Sequence, residues 1–119
     1  MSWTVDLEKI QKWLDEDSYD AVVAALEILE DKGPNLGRPL VDTIQHSDYS
    51  NMKELRPGTK GRGAIRILFA FDPKRRAIML VAGNKQNKWK SWYKEFIPKA
   101  DNLWKEHLGS IKNDTRITK

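Results

Sequence analysis

Apolar residues recur at helical spacing in two segments near the start of the chain. In DLEKIQKWLDED, one helix face is apolar: Leu7, Ile10, Trp13 and Leu14. Ser18 then provides an N-cap residue for a second apolar stripe: Tyr19, Val22, Val23, Leu26 and Leu29. Gly33-Pro34 ends this helix, because glycine accepts the left-handed cap conformation and proline cannot continue a helix. The pattern predicts two amphipathic helices packed on a flat surface.

The central part of the chain has the patterns of strands. SWTVD at residues 2–6 and LVDTI after Pro39 are short candidates, and NMKEL, AIRILFAF and AIMLVA follow. PGTKGRG and DPKRR connect the last three candidates, and both connections are rich in turn-forming residues. These three strands are therefore predicted to be consecutive antiparallel neighbours.

Residues 89–108 return to a helical pattern, with an apolar face formed by Trp92, Phe96, Leu103, Trp104 and Leu108. Pro98 marks either a kink or the first turn of a new helix. The polar remainder predicts a flexible tail at 109–119 after a single domain at 1–108. The fold class is α+β: an antiparallel sheet of three to five strands, two N-terminal helices on one face and a C-terminal helix. The other sheet face is expected to remain open.

Composition narrows the possible functions. The 119 residues suit one domain, and the absence of cysteine excludes disulfides and thiolate metal sites. We see no signal peptide, no apolar run of membrane-spanning length and no acidic or histidine cluster with metal-ligand spacing. Residues 1–50 carry 4 basic and 11 acidic side chains, whereas residues 51–119 carry 17 and 6, so their net charges are −7 and +11. This split favours a polyanionic partner for the second half.

An arginine interrupts the apolar strand AIRILFAF. Strand side chains alternate between faces, so one face is entirely apolar: Ile65, Ile67, Phe69 and Phe71. Arg66 stands on the opposite face, two steps from Arg62. On that face, two roles are expected for Arg66: it binds a phosphate group, or it pairs with an acidic residue on a neighbouring strand.

Other basic residues flank this strand. Lys53 and Arg56 are three apart and would face opposite ways unless one lies at a bulge or at the strand end. We predict that a cationic hollow on the open face brings together Lys53, Arg56, Arg66 and Lys85, with Tyr93 nearby. Further nucleic-acid contacts are assigned to Lys60, Arg62, Lys88 and Trp89, because basic side chains bind phosphates and an aromatic ring stacks on bases.

The order of these segments resembles a known family. GPNLGRPLVDTI, NMKELRP, IRILFAFDP and AIMLVAGNK, after a helical pair, are similar to the RelE/ParE toxin superfamily, especially its HigB-like, phage-derived branch. The similarity covers residues 3–108. It implies a RelE-like fold, and it places the family's strand arginine on Arg66. The basic positions of the preceding strand fall on Lys53 and Arg56, and the one after the last strand on Lys85.

The resemblance also implies an activity and partners. Such proteins are toxins of type II toxin–antitoxin systems, and many cut mRNA in the ribosomal A site without a metal or another cofactor. The product carries a 2′,3′-cyclic phosphate or a 3′-phosphate. A cognate antitoxin, often a helix-turn-helix DNA-binding protein, would hold this chain in a heteromeric complex in the cytoplasm, away from membranes.

Cleavage of RNA without a metal needs a base, a cation and an acid. The histidines, His46 and His107, lie in unrelated segments, so a histidine pair is not expected. Lys53 is the predicted base, because neighbouring cations lower the pKa of a lysine from about 10.4. Arg56 and Arg66 would bind the phosphate. Tyr93 and Lys85 are the candidates for the acid.

Two other functions remain open at this stage. A related branch of the superfamily inhibits DNA gyrase by protein contact and cuts nothing, and a third possibility is an RNA-binding module without catalysis. Fold similarity alone does not distinguish these activities.

Overall fold

A computed structural model describes residues 3–14, 16–57, 65–84 and 88–117. Within these residues the chain forms a five-stranded sheet in the order β1-β5-β4-β3-β2. The strands are β1 Thr4–Asp6, β2 Val41–Thr43, β3 Lys53–Leu55, β4 Ile65–Phe71 and β5 Arg76–Asn84. The α-helices are α1 Glu16–Lys32 and α2 Trp89–Ile117, and 3₁₀ segments occupy Glu8–Trp13 and Gly33–Asn35. The predicted α+β, RelE-like class is confirmed.

The sheet is antiparallel except at one edge. The β3–β4 and β4–β5 pairs are antiparallel, as predicted. The β2–β3 pair is also antiparallel, whereas β1 runs parallel to β5. The β4–β5 ladder is irregular: Leu68 lies opposite Val81, but Phe69 lies opposite Met79. The extra residue, Leu80, packs on the same side of the sheet as Val81. This bulge leaves the alternation of side chains along β4 intact.

The first face of the sheet packs against α1 and the 3₁₀ segment that precedes it. The β4 residues Ile65, Ile67 and Phe69 are buried there, with Phe71 partly buried beside them. Ile10 comes from the 3₁₀ segment, and α1 contributes a stripe with helical spacing: Val22, Ala25, Leu26 and Leu29. The apolar face predicted for β4, and the helices packed on it, are therefore confirmed.

The second face is covered as well, so the expectation of an open face was wrong. The buried residues that α2 contributes are Trp92, Ile97, Ala100 and Trp104. They pack with residues of the sheet that face away from α1: Leu68, Ala70, Ile78, Leu80 and Val81. Burial of this much apolar surface favours a three-layer arrangement, with the sheet between the helices.

The helix boundaries differ in part from the sequence predictions. Since α1 begins at Glu16, Ser18 lies in its first turn and is not its N-cap. Pro98 lies on the exposed side within α2 and does not start a separate helix. The same helix continues past residue 108 to Ile117.

Charged side chains segregate on the outer surfaces of the two helices. Exposed acids lie on α1: Asp20, Glu27, Glu30 and Asp31. Exposed lysines lie on α2: Lys90, Lys94, Lys105 and Lys112. Because α1 and α2 cover opposite faces, the molecule has an acid-rich side at α1 and a more basic side at α2. In the part of the chain that the structure describes, no helix has the length and apolar character needed to cross a membrane.

Candidate active site

A buried carboxylate joins β3 to β4. Glu54 lies opposite Leu68 in the ladder, so its side chain shares a face with Arg66, two residues from Leu68. Only 1% of Glu54 is exposed. Its Oε1 accepts a hydrogen bond of 2.8 Å from Nε of Arg56 and lies 3.5 Å from Nη1 of Arg66. Of the two expectations for Arg66, the structure therefore shows pairing with an acid on the neighbouring strand.

Tyr93 of α2 completes this group. Its hydroxyl donates a short hydrogen bond to Oε2 of Glu54 and accepts one of 2.7 Å from Nη1 of Arg66. Burial, followed by the hydrogen bond and negative charge of Glu54, raises the pKa of Tyr93 to about 12, although Arg66 opposes the shift. The phenol therefore stays protonated at neutral pH.

Aromatic rings support the group from α2. The guanidinium carbon of Arg66 lies 4.6 Å from the ring centroid of Trp89, a cation–π contact. The buried ring of Trp92 contacts Trp89 and Tyr93 at centroid distances of 5.2 Å. Gly83 lies opposite Arg66 on β5, and a Cβ atom there would fall 2.3 Å from Nε1 of Trp92. Glycine at this position makes room for the ring that supports Tyr93 and Trp89.

The two arginines remain accessible. Side-chain exposure is 20% for Arg66 and 38% for Arg56, whereas Glu54 is enclosed beneath them. Two guanidinium groups thus share one buried carboxylate. Arg56 also approaches Asp42 on β2, with 3.8 Å between Nη2 and Oδ2. Within the described ranges, no group of three His, Asp or Glu side chains is placed to hold a metal ion.

His107 belongs to a separate cluster beyond the other end of β4. Its Nε2 lies 2.8 Å from Oδ2 of the buried Asp72, which also accepts a hydrogen bond of 2.9 Å from Nε of Arg76. The ring of Trp104 stacks on His107. These contacts join α2 to the β4–β5 turn, and Arg66 takes no part in them.

Comparison with known proteins now identifies the family. Residues 10–105 match the family described as phage-derived protein Gp49-like (DUF891). The chain belongs to this Gp49-like family.

The chain is 53% identical over 116 residues to "Putative toxin HigB2" of Mycobacterium tuberculosis (strain H37Rv), covering 95% of the chain but 58% of that protein. It is 47% identical over 108 residues to "Putative toxin HigB3" of the same organism, covering 87% of the chain and 91% of that protein. The HigB-like assignment made from the sequence is confirmed.

In this Gp49-like chain, the structure brings together only some of the residues selected from the sequence. Arg56, Arg66, Tyr93 and Trp89 form one contiguous group. Lys88 is exposed immediately before α2. Lys60, Arg62 and Lys85 lie outside the described residues.

Lys53 does not join this group, so its expected convergence with Arg66 was wrong. It lies opposite Phe69 in the β3–β4 ladder, and Phe69 packs on the α1 face. Residues that are paired directly share a face, and neighbours along a strand face opposite ways. Arg56 does join the group, because it is two residues from Glu54 and its side chain therefore lies on the same face of the sheet.

Glu54 is the residue that sequence reasoning missed. In KELR it appears as a single acid among bases, which suggests surface charge balance. The signal was its spacing: Glu54 and Arg56 are two apart and therefore face the same way at the end of a strand. The register that places Arg66 beside them depends on how β3 and β4 pair, which the local pattern does not specify.

Proposed function

We propose that this chain is the toxin of a type II toxin–antitoxin system and that it inhibits translation by cutting mRNA on the ribosome. The names of its relatives support the toxin assignment. The observation that carries the activity is that Arg56 and Arg66 lie together beside the protonated phenol of Tyr93, on the basic side of the molecule.

The chemistry requires charge stabilisation and two proton transfers. The 2′-hydroxyl attacks the phosphorus, the bond to the 5′-oxygen breaks, and a 2′,3′-cyclic phosphate and a 5′-hydroxyl result. Arg56 and Arg66 would stabilise the charge that develops on the phosphate oxygens, since a guanidinium keeps its charge and binds two oxygens at once. When mRNA is bound, the Tyr93 hydroxyl would exchange its hydrogen bond to Glu54 for one to the departing 5′-oxygen and donate its proton there. The resulting phenolate would be stabilised by Arg66.

The base that removes the 2′-hydroxyl proton is assigned to Lys85, which follows β5 directly in the sequence. Lys53 is not assigned this role, because its position in β3 directs it to the α1 face. A modest set of catalytic groups is sufficient if the ribosome aligns the mRNA, because alignment alone supplies a large share of the acceleration.

The proposal includes partners. A cognate antitoxin, expected to be a helix-turn-helix DNA-binding protein, would bind the toxin in a heteromeric complex and cover its basic side. Release of the toxin would expose Arg56 and Arg66 to mRNA on ribosomes in the cytoplasm.

The test is to map transcript ends in cells that express the wild type, Arg66→Ala or the control Lys99→Ala. Lys99 is an exposed cation of α2 that pairs with Glu95 at 3.5 Å. We expect cuts in phase with ribosomal A-site codons for the wild type and the control, and a loss of about 100-fold for Arg66→Ala. Intact transcripts together with DNA breaks would contradict the proposal and favour the gyrase-inhibiting branch. RNA binding without cuts would favour a non-catalytic module.

A further inference from the structure

The proposed chemistry gives no role to the buried carboxylate that contacts both arginines. Glu54 is 1% exposed, so it cannot touch a bound RNA directly. Removing a carboxylate from water is strongly unfavourable unless its partners compensate for the lost solvation. The contacts of Glu54 should therefore explain why a carboxylate is buried at this position.

The two oxygens of Glu54 have different partners. Oε1 faces the arginines, at 2.8 Å from Nε of Arg56 and 3.5 Å from Nη1 of Arg66. Oε2 accepts the proton of the Tyr93 hydroxyl. One carboxylate thus orients three of the groups that the proposed reaction uses: Arg56, Arg66 and Tyr93. Without it, the two guanidinium groups would repel each other and the phenol would lose its acceptor.

We propose that Glu54 is the positioning residue of this site: its carboxylate fixes Arg56 and Arg66 as one phosphate-binding array and holds the Tyr93 hydroxyl beside them. The catalytic part of this inference rests on the proposed function. The positioning part concerns only this chain and is tested without RNA.

The first test is the titration of tyrosine in Glu54→Gln, which preserves the size of the side chain but removes its charge. With tyrosine labelled at Cζ with carbon-13, NMR follows Tyr93 separately from Tyr19 and Tyr49. We expect the pKa of Tyr93 to fall by about one unit or more, because the negative charge that opposes ionisation is gone while Arg66 remains. Tyr19, on α1 across the sheet, serves as the internal reference. An unchanged Tyr93 titration in a folded variant would overturn the inference.

The second test separates binding from cleavage on programmed ribosomes. Affinity is measured with mRNA that carries a 2′-deoxy nucleotide at the cut, and the cleavage rate is measured in a single turnover with ordinary mRNA. For Glu54→Gln we expect unchanged or tighter binding, because the local positive charge increases. We expect cleavage to slow by about 100-fold, because the groups are no longer aligned. Glu95→Gln, at an exposed glutamate of α2, should change neither quantity.

The outcomes distinguish the possibilities. Parallel losses of affinity and rate would indicate a merely structural role and overturn the inference, as would an unchanged rate. If Glu54→Gln does not fold, Glu54→Asp retains the charge and withdraws it by one methylene. That variant should bind normally and cleave more slowly, and a wild-type rate would contradict positioning. If the wild type itself does not cut RNA, the proposed function fails, while the Tyr93 titration still tests the role of Glu54.

Discussion

Gly83→Ala tests whether the packing beneath the site holds the site in place. A Cβ atom at Gly83 would lie 2.3 Å from Nε1, 2.5 Å from Cε2 and 2.8 Å from Cζ2 of Trp92. All three separations are far shorter than a van der Waals contact between such atoms, which is about 3.5 Å or more. Trp92 cannot move freely, since it is buried and stacks on Phe96 at a centroid distance of 5.3 Å. Overpacking of this kind typically costs about 1–3 kcal/mol.

The measurement is thermal and urea unfolding followed by far-UV circular dichroism. At about 4 °C per kcal/mol for a domain of this size, Gly83→Ala should lower Tm by about 4–12 °C. Gly109→Ala is the matched control: a Cβ there would meet nothing within 4 Å, and the residue lies within α2. The control should stabilise the protein by about 0.5–1 kcal/mol, because alanine favours helix more than glycine does.

A double variant identifies the clash as the cause. Trp92→Phe withdraws the ring edge that the new Cβ would meet, so its combination with Gly83→Ala should be less destabilising than the sum of the two single changes. The argument would be refuted if Gly83→Ala were as stable as the wild type, or if the losses in the double variant were additive. Retained mRNA cleavage in a destabilised Gly83→Ala would show that Trp92 does not position the site.

Two further predictions concern the contacts that dock α2. Burial raises the pKa of Asp72, but hydrogen bonds from His107 and Arg76 outweigh it and lower the pKa overall. The resulting stability is complete above the unfolded pKa of about 3.9 and is lost as pH falls through the lower folded value. Asp72→Asn should therefore flatten the dependence of unfolding free energy on pH below about pH 4, whereas an identical slope would contradict this coupling. Oδ2 of Asp101 accepts a hydrogen bond of 2.9 Å from the Asp48 amide, so Asp101→Ala, which removes this acceptor, should accelerate hydrogen exchange at that amide. Unchanged exchange would show that this hydrogen bond does not protect the amide.

The alternation of residues in β4 was enough to predict one buried face and the placement of Arg66 on the other. The same pattern could not reveal that α2 covers the second face, because that depends on how far the C-terminal helix extends and where it docks. Arg66 sits at the edge of this cover, where Gly83 leaves room for aromatic rings instead of for solvent.

For the residues of the candidate site that lie on strands, the alternation of side chains predicts which face of the sheet each one occupies. Lys53 and Arg56 could not both face Arg66, and the β3–β4 register resolves the choice in favour of Arg56. Glu54 was overlooked because its importance comes from burial and from two neighbours distant in sequence, Arg66 and Tyr93. Such a carboxylate has no local signature: its environment is set by the β3–β4 register and by the first turns of α2.

The most direct measurement compares the single-turnover cleavage of ribosome-bound mRNA by Arg66→Ala and Lys53→Ala. Each change removes one cation from neighbouring strands, but the two side chains belong to opposite faces of the sheet. Arg66→Ala should slow cleavage by about 100-fold, whereas Lys53→Ala should stay within a few-fold of the wild type. Strong loss in Lys53→Ala combined with near-normal cleavage by Arg66→Ala would contradict a site built around Glu54, Arg66 and Tyr93.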